Sequence, residues 1–123
     1  MNKNNCCFIS SNVKGIKSSG TRIKVFEYLK QKINQNGFIF MQETHSSIDA
    51  EKNWQDEFKG PLFFAHGKTN SCAVAIGFCG NDELNIISKK CDDNGRILML
   101  ETKIFDEIFL LINLYNANLE CDQ

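Results

Sequence analysis

Phe38-Ile39-Phe40-Met41-Gln42-Glu43-Thr44-His45 is the stretch on which the fold turns. Four apolar residues in succession, with no alternation, describe a strand buried on both faces. It then breaks abruptly into amide, carboxylate, hydroxyl and imidazole. Working upstream, Ile23, Phe26, Leu29 and Ile33 recur three or four apart and predict one helix face, with Ser18 or Ser19 as its cap and Gly37 past its end. Residues 6–10 predict a first short strand, followed by the polar loop Ser11-Asn12-Val13-Lys14-Gly15. Downstream, residues 49–58 predict a short helix whose inner face carries Trp54 and Phe58, with Trp54 as core.

After Gly60-Pro61 the chain turns β-rich, with strands expected over 62–65, 73–79, 84–90, 96–103 and 107–115. Gly80-Asn81-Asp82 and Asp93-Asn94-Gly95 both read as hairpin turns. The Asn-Gly pair of the second suits a type I′ turn, whose two central residues take positive φ. The expected class is α/β with a mixed sheet.

At 123 residues and 14.0 kDa the chain holds one domain. A hydrophobic fraction of 42% and a charged fraction of 24% exclude a disordered or fibrous protein. No strictly apolar run exceeds five residues, which is far short of a membrane-spanning helix. The opening Met1-Asn2-Lys3-Asn4-Asn5 lacks the apolar stretch of a secretory signal, so an intracellular protein, cytoplasmic or nuclear, is expected. The six cysteines, at 6, 7, 72, 79, 91 and 121, form no C-x-x-C pair and read as reduced thiols rather than zinc ligands. The net charge is −1, but the first 32 residues carry seven basic side chains against one acidic. That excess could hold a polyanion, or be a solvated helix face and loop.

Three polar clusters fall where strands end, the usual place for sites in α/β sheets. They are Asn12, then Glu43 with Gln42 and His45, then Asn113-Leu114-Tyr115-Asn116-Ala117-Asn118. In the last strand Asn113 and Tyr115 share the face of Phe109 and Leu111, so that face turns polar at one end and suggests a cleft. Glu43 directly follows a buried strand, where a carboxylate is costly unless paired or bound to a cation. A loop carboxylate, a helix-cap partner or a lysine salt bridge would explain it equally. As a metal ligand with an amide oxygen and waters it would suit magnesium. His45 could act as a base or a donor, or be polar surface, and His66 is read the same way. Arg96 could meet a phosphate or be a strand-edge charge. No phosphate-cradling glycine loop and no nucleophilic Ser or Cys with its base is evident.

Four segments, Ser11-Asn12-Val13-Lys14-Gly15-Ile16, Gln42-Glu43-Thr44-His45, Asp93-Asn94-Gly95-Arg96 and Asn113-Leu114-Tyr115-Asn116-Ala117-Asn118, stand in the order and spacing of one family. Together they resemble the N-terminal half of the endonuclease/exonuclease/phosphatase superfamily. The subgroup most resembled is the apurinic-type endonuclease domain of LINE-type non-LTR retrotransposons. Residues 54–67, with Phe58-Lys59-Gly60 and Phe63-Phe64-Ala65-His66-Gly67, resemble that subgroup too.

The resemblance implies half of a four-layer α/β sandwich that cleaves phosphodiesters with Mg2+ or Mn2+. Glu43 would hold the metal, with Asn12 beside it. Tyr115 would donate to the scissile phosphate, Asn118 would lie at the DNA-facing edge, and Lys14 and Arg96 would add phosphate contacts. DNA is the implied partner and no membrane is, with a reverse transcriptase expected downstream in the same polypeptide. Ala73 and Ala117 stand where the subgroup usually has Gly and Pro. The family's general acid and water-activating Asp-His pair belong to a second half, so residues 1–123 are expected to be a partial domain with one of two sheets and no nicking activity alone. An uncovered apolar face is then expected to include some of Leu98, Leu100, Leu110 and Ile112. A phosphoinositide- or sphingomyelin-type phosphodiesterase fragment, or a non-catalytic remnant binding nucleic acid or a partner, would carry the same motifs.

Overall fold

The computed structural model describes residues 6–68 and 72–115. Strand β1 (Cys7–Asn12) leads through helix α1 (Ser19–Lys30) into β2 (Asn36–Gln42). A 3-10 turn (Ile48–Ala50) opens directly into α2 (Glu51–Phe58), and β3 (Leu62–Ala65), β4 (Val74–Gly80), β5 (Asn85–Cys91), β6 (Ile97–Ile104) and β7 (Glu107–Leu114) follow. β1 and β2 pair in parallel, which requires a crossover between them, and α1 supplies it. β4 runs antiparallel to both β2 and β3, giving a mixed sheet in the order β1-β2-β4-β3. β5, β6 and β7 form a separate antiparallel sheet.

The period of two along β2, β3 and β4 divides the apolar side chains between two cores. Ile39, Met41, Leu62, Phe64 and Ala75 face the helices, where they meet Ile16, Phe26, Leu29, Trp54 and Phe58. Phe38, Ala65, Val74, Ile76 and Phe78 face the other way, onto Leu98, Leu100, Ile104 and Leu111 of the second sheet. The layers are therefore helices, mixed sheet and antiparallel sheet. Each fully buried Phe or Leu in these cores contributes about 2 kcal/mol of hydrophobic stabilisation. Among the described residues no helix is long and apolar enough to cross a membrane.

Several sequence expectations need correction. Among the described residues there are two sheets rather than one, because 80–82 is not a hairpin: it carries the chain from β4 in one sheet to β5 in the other. Leu98 and Leu100 are consequently buried between the sheets. The outward positions of β7 are the ones left open, with Ile108, Leu110, Ile112 and Leu114 each between 50% and 63% exposed. In the 93–95 turn Gly95 has positive φ but Asn94 does not, so the turn is not type I′. Asp92 closes it instead, its Oδ1 accepting the N–H groups of Arg96 and Ile97 at 3.0 Å each.

Phe26 and Leu29 lie on the inner face of α1 as expected, but the first position of that face is Arg22 and not Ile23. Arg22 is buried and Ile23 is 37% exposed. The Arg22 guanidinium grips Glu57 of α2 in a two-pronged ion pair, Nε to Oε1 at 2.6 Å and Nη2 to Oε2 at 2.8 Å. It also donates to the Ile16 and Lys17 carbonyls and lies 4.7 Å from the centre of the Trp54 ring. This arginine is a rivet between the helices, not part of a polyanion-binding surface.

Candidate functional site

β1 and β2 lie side by side and end in register, Asn12 opposite Gln42, so the loops leaving them emerge together. Main-chain bonds then lock those loops. Val13 N–H donates to the Gln42 carbonyl, Gly15 N–H to Glu43 and Ile16 N–H to Thr44, at 3.0, 2.6 and 3.2 Å. On the other side Thr44 N–H donates to the Ala73 carbonyl (3.1 Å) and His45 N–H to Cys72 (2.8 Å). Ala73 N–H in turn reaches the Gly95 carbonyl (3.1 Å), which ties in the β5–β6 turn from the second sheet.

This end of the molecule also concentrates left-handed backbone. Lys14, Glu43, His45 and Ala73 have φ of 54°, 55°, 59° and 83°, and Gly15 and Gly95 have 86° and 71°. Each such conformation disfavours a residue with a Cβ, and clusters of them persist where surrounding bonds over-determine them. At Gly15 a Cβ would lie 2.6 Å from Nδ1 of His45, so the bare glycine is what admits the imidazole. At Gly95 a Cβ would come within 2.6 Å of the main-chain nitrogens of both Ala73 and Gly67. Ala73, where the resemblance leads one to expect Gly, does take up a glycine-favouring conformation.

Within this frame Asn12 and Glu43 are in direct contact, Asn12 Nδ2 donating to Glu43 Oε2 at 2.5 Å. The other end of the Asn12 amide accepts the Lys14 N–H at 3.0 Å. Glu43 and His45 are half-buried, while Asn12 and Lys14 are exposed. Tyr115, the last described residue, is half-buried at the end of β7, and its N–H donates to the Arg96 carbonyl at 2.8 Å. Arg96 is half-buried, with Nε and one terminal nitrogen shielded from solvent, so it is not a strand-edge surface charge. Asn118 lies outside the described residues.

Asn113 couples the two sheets. Its Nδ2 donates to the carbonyls of Met41 (3.0 Å) and Ala75 (2.8 Å), and its Oδ1 accepts from Gln42 Nε2 (2.9 Å). At 2% exposure it is a joint between sheets and not the lip of a cleft, which corrects the reading of the alternation in β7. Because Gln42 precedes Glu43 and Asn113 lies two before Tyr115, this joint brings the β7 end carrying Tyr115 to the β2 end carrying Glu43.

The sequence reading missed a second polar group beside the first. Thr44 Oγ1 meets Ser46 Oγ at 2.9 Å, Ser46 Oγ meets His66 Nδ1 at 3.0 Å, and His66 Nε2 meets Glu51 Oε1 at 2.7 Å. Ser, His and Glu stand here in the connectivity of a nucleophile, its base and an orienting carboxylate, but Ser46 is 1% exposed and reaches no substrate. No spacing motif could have found it, since the residues come from three separate elements.

Among the described residues no three His, Cys, Asp or Glu side chains gather into a metal cluster. The donors at Glu43 are one carboxylate and neighbouring amide and carbonyl groups. That set offers no zinc site, and the Asn12 amide within it is engaged at both ends, by Lys14 N–H and by Glu43.

No family model matches the chain. Over 104 residues, 85% of this chain, it is 29% identical to a protein of Xenopus laevis described as a Transposon TX1 uncharacterized 149 kDa protein. The match covers 8% of that protein, so the chain spans only a small part of the length of the curated relative it matches.

Proposed function

We propose that the chain is transposon-derived and forms part of a divalent-metal-dependent phosphodiesterase, of the kind that nicks DNA for a non-LTR retrotransposon. The single observation that carries this reading is the Asn12–Glu43 contact, made where two parallel strands end and clamped by main-chain bonds from four loops. A carboxylate whose direction is set by a paired amide and a backbone-clamped turn is compatible with binding a magnesium ion through one carboxylate and water. The likeness to a transposon protein supports the same origin.

Glu43 is the side chain to hold the ion. Asn12 uses one end of its amide on Lys14 N–H and the other on Glu43, which suits it to aiming the carboxylate rather than to ligating. A bound Mg2+ or Mn2+ would neutralise phosphate charge and lower the pKa of a coordinated water. Tyr115 offers a hydroxyl and Lys14 an exposed positive charge suited to holding a DNA phosphate in place; Arg96, with Nε and one terminal nitrogen shielded, is less suited, and Asn118 enters only through the family resemblance. No residue of 1–123 is assigned as general acid or general base, so on this reading 1–123 alone would hold metal without turning over.

The test is an NMR titration with Mn2+. Line broadening centred on the amides of Asn12 and Glu43, abolished by Glu43→Gln, supports the reading, together with nicking of supercoiled plasmid by a longer polypeptide carrying the downstream sequence. Absence of any focused broadening in the wild-type chain refutes it. A second reading, nucleic-acid binding through the basic first third without catalysis, loses support because Arg22 is consumed by Glu57 and the Lys30 Nζ donates to the Phe58 carbonyl.

A further inference from the structure

We infer that His66 is a positioning residue for the Glu43 turn, acting through Ser46 and Thr44 with its own orientation set by Glu51. The inference rests on the reading of Glu43 as the metal-holding carboxylate, but its geometry stands independently. An ionised Glu51 can only accept, so Nε2 of His66 carries the proton. In the neutral form of the ring Nδ1 carries the lone pair, and the Ser46 hydroxyl then donates to it and accepts from Thr44 Oγ1. The contacts run unbroken from Thr44 through Ser46 and His66 to the N-terminal turn of α2, where Glu51 is the first residue.

The row is shielded where it meets the turn, with Thr44 0% and Ser46 1% exposed. His66 is fixed from its flat side as well, its ring stacked on Phe64 with centroids 5.0 Å apart and planes 20° from parallel. Thr44 sits between Glu43 and His45, both left-handed, so the turn is held in a conformation that neither residue prefers. Main-chain bonds fix the path of Thr44 from outside. The hydroxyl row fixes its side chain from within, and thereby the direction in which Glu43 leaves the strand. None of these groups bonds the Glu43 carboxylate itself; they act on the turn that carries it, so losing one is set against the lower end of the about 10-fold to 100-fold that removing a directly bonded partner costs in metal affinity.

The experiment compares Ser46→Ala, His66→Phe and His66→Gln in the full 123-residue chain. The glutamine offers both a donor and an acceptor and can bridge Ser46 to Glu51, whereas phenylalanine keeps the stack and removes both polar atoms. Two quantities are read: the amide chemical shifts of residues 43–45, and the apparent Kd for Mn2+. Ser46→Ala and His66→Phe are expected to displace those amide signals selectively and weaken Mn2+ about tenfold. His66→Gln is expected to recover both toward wild type.

If His66→Phe fails to fold, the comparison between Ser46→Ala and His66→Gln decides. Folded variants that lower the melting temperature equally, leave the 43–45 amides in place and bind Mn2+ as wild type would overturn the inference. If the wild-type chain takes up no Mn2+, the functional reading fails. The positioning role is then judged on the amide signals alone, where selective displacement sustains it and uniform or absent displacement overturns it.

Discussion

Replacing Asn113 by alanine removes the polar joint between the two sheets. Three hydrogen bonds disappear together, two donated to the main-chain carbonyls of Met41 and Ala75 and one accepted from Gln42. Asn113 is 2% exposed, so water cannot take over without opening the interface. At about 1 kcal/mol net for each bond the loss is about 3 kcal/mol, a large fraction of the 5–15 kcal/mol that stabilises a typical domain. For a chain of this size that lowers the melting temperature by about 10 °C. Asn113→Asp should cost more than alanine, because it keeps the shape but turns an oxygen toward two carbonyl oxygens. Urea unfolding checks both, with the m value unchanged if only stability has altered. A loss below about 1 kcal/mol for Asn113→Ala, or an aspartate milder than the alanine, would refute the argument that this side chain binds the sheets together.

Ala73→Gly should stabilise the chain by about 0.5–1 kcal/mol, since it relieves a φ of 83° that a Cβ disfavours; a raised urea midpoint is the readout. Gly95→Ala should do the reverse by more than about 1 kcal/mol, because the new Cβ meets the main-chain nitrogens of Ala73 and Gly67 at 2.6 Å, and thermal melts will show it. Glu57→Ala strands the buried Arg22 guanidinium and should cost about 3 kcal/mol by chemical denaturation, far more than Asp56→Ala, whose exposed pair with Lys52 is worth little. Burial raises the Cys79 thiol above its ordinary value, an effect only partly opposed by Lys30. The folded state then retains a proton that the unfolded state gives up, so stability falls as pH rises through the ordinary thiol range, and urea midpoints should show a smaller fall in Cys79→Ala.

Much of the architecture was legible because its punctuation is local. Residues 62–65 were expected and found as a strand, and the other strand bounds moved by one or two residues. The run at 38–41 was expected to be a strand buried on both faces, and Phe38, Ile39 and Met41 are buried. What was hidden is what tertiary partners decide. The buried face of α1 contains Arg22, and hydropathy cannot read a guanidinium as core when Glu57 and Trp54 complete it from another helix. A turn signal at 80–82 announces a change of direction but not the sheet that the next strand joins. Alternation along β7 identified the face of Asn113 but not the carbonyls opposite it. Lys14, Glu43, His45 and Ala73 share no preference for left-handed backbone, and only the bonds from neighbouring loops impose it. The pairing of Asn12 with Glu43 was foreshadowed by the family resemblance, whereas the row from Thr44 to Glu51 had no signal in spacing at all.

The loops around Glu43 are closed by amide-to-carbonyl bonds, which belong to the backbone and are indifferent to most side chains. Shape and reactivity at this end of the molecule are therefore separately heritable. Exchange of Asn12 or Glu43 would abolish the proposed chemistry while the loop frame stood. Exchange of Gly15 or Gly95 would spoil the frame while those two side chains remained. A copy freed from any demand for catalysis could thus lose its reactive groups first and retain the outline of the site. In such a copy a well-formed loop frame would testify to descent, and only the identity of the residues at 12 and 43 would testify to use.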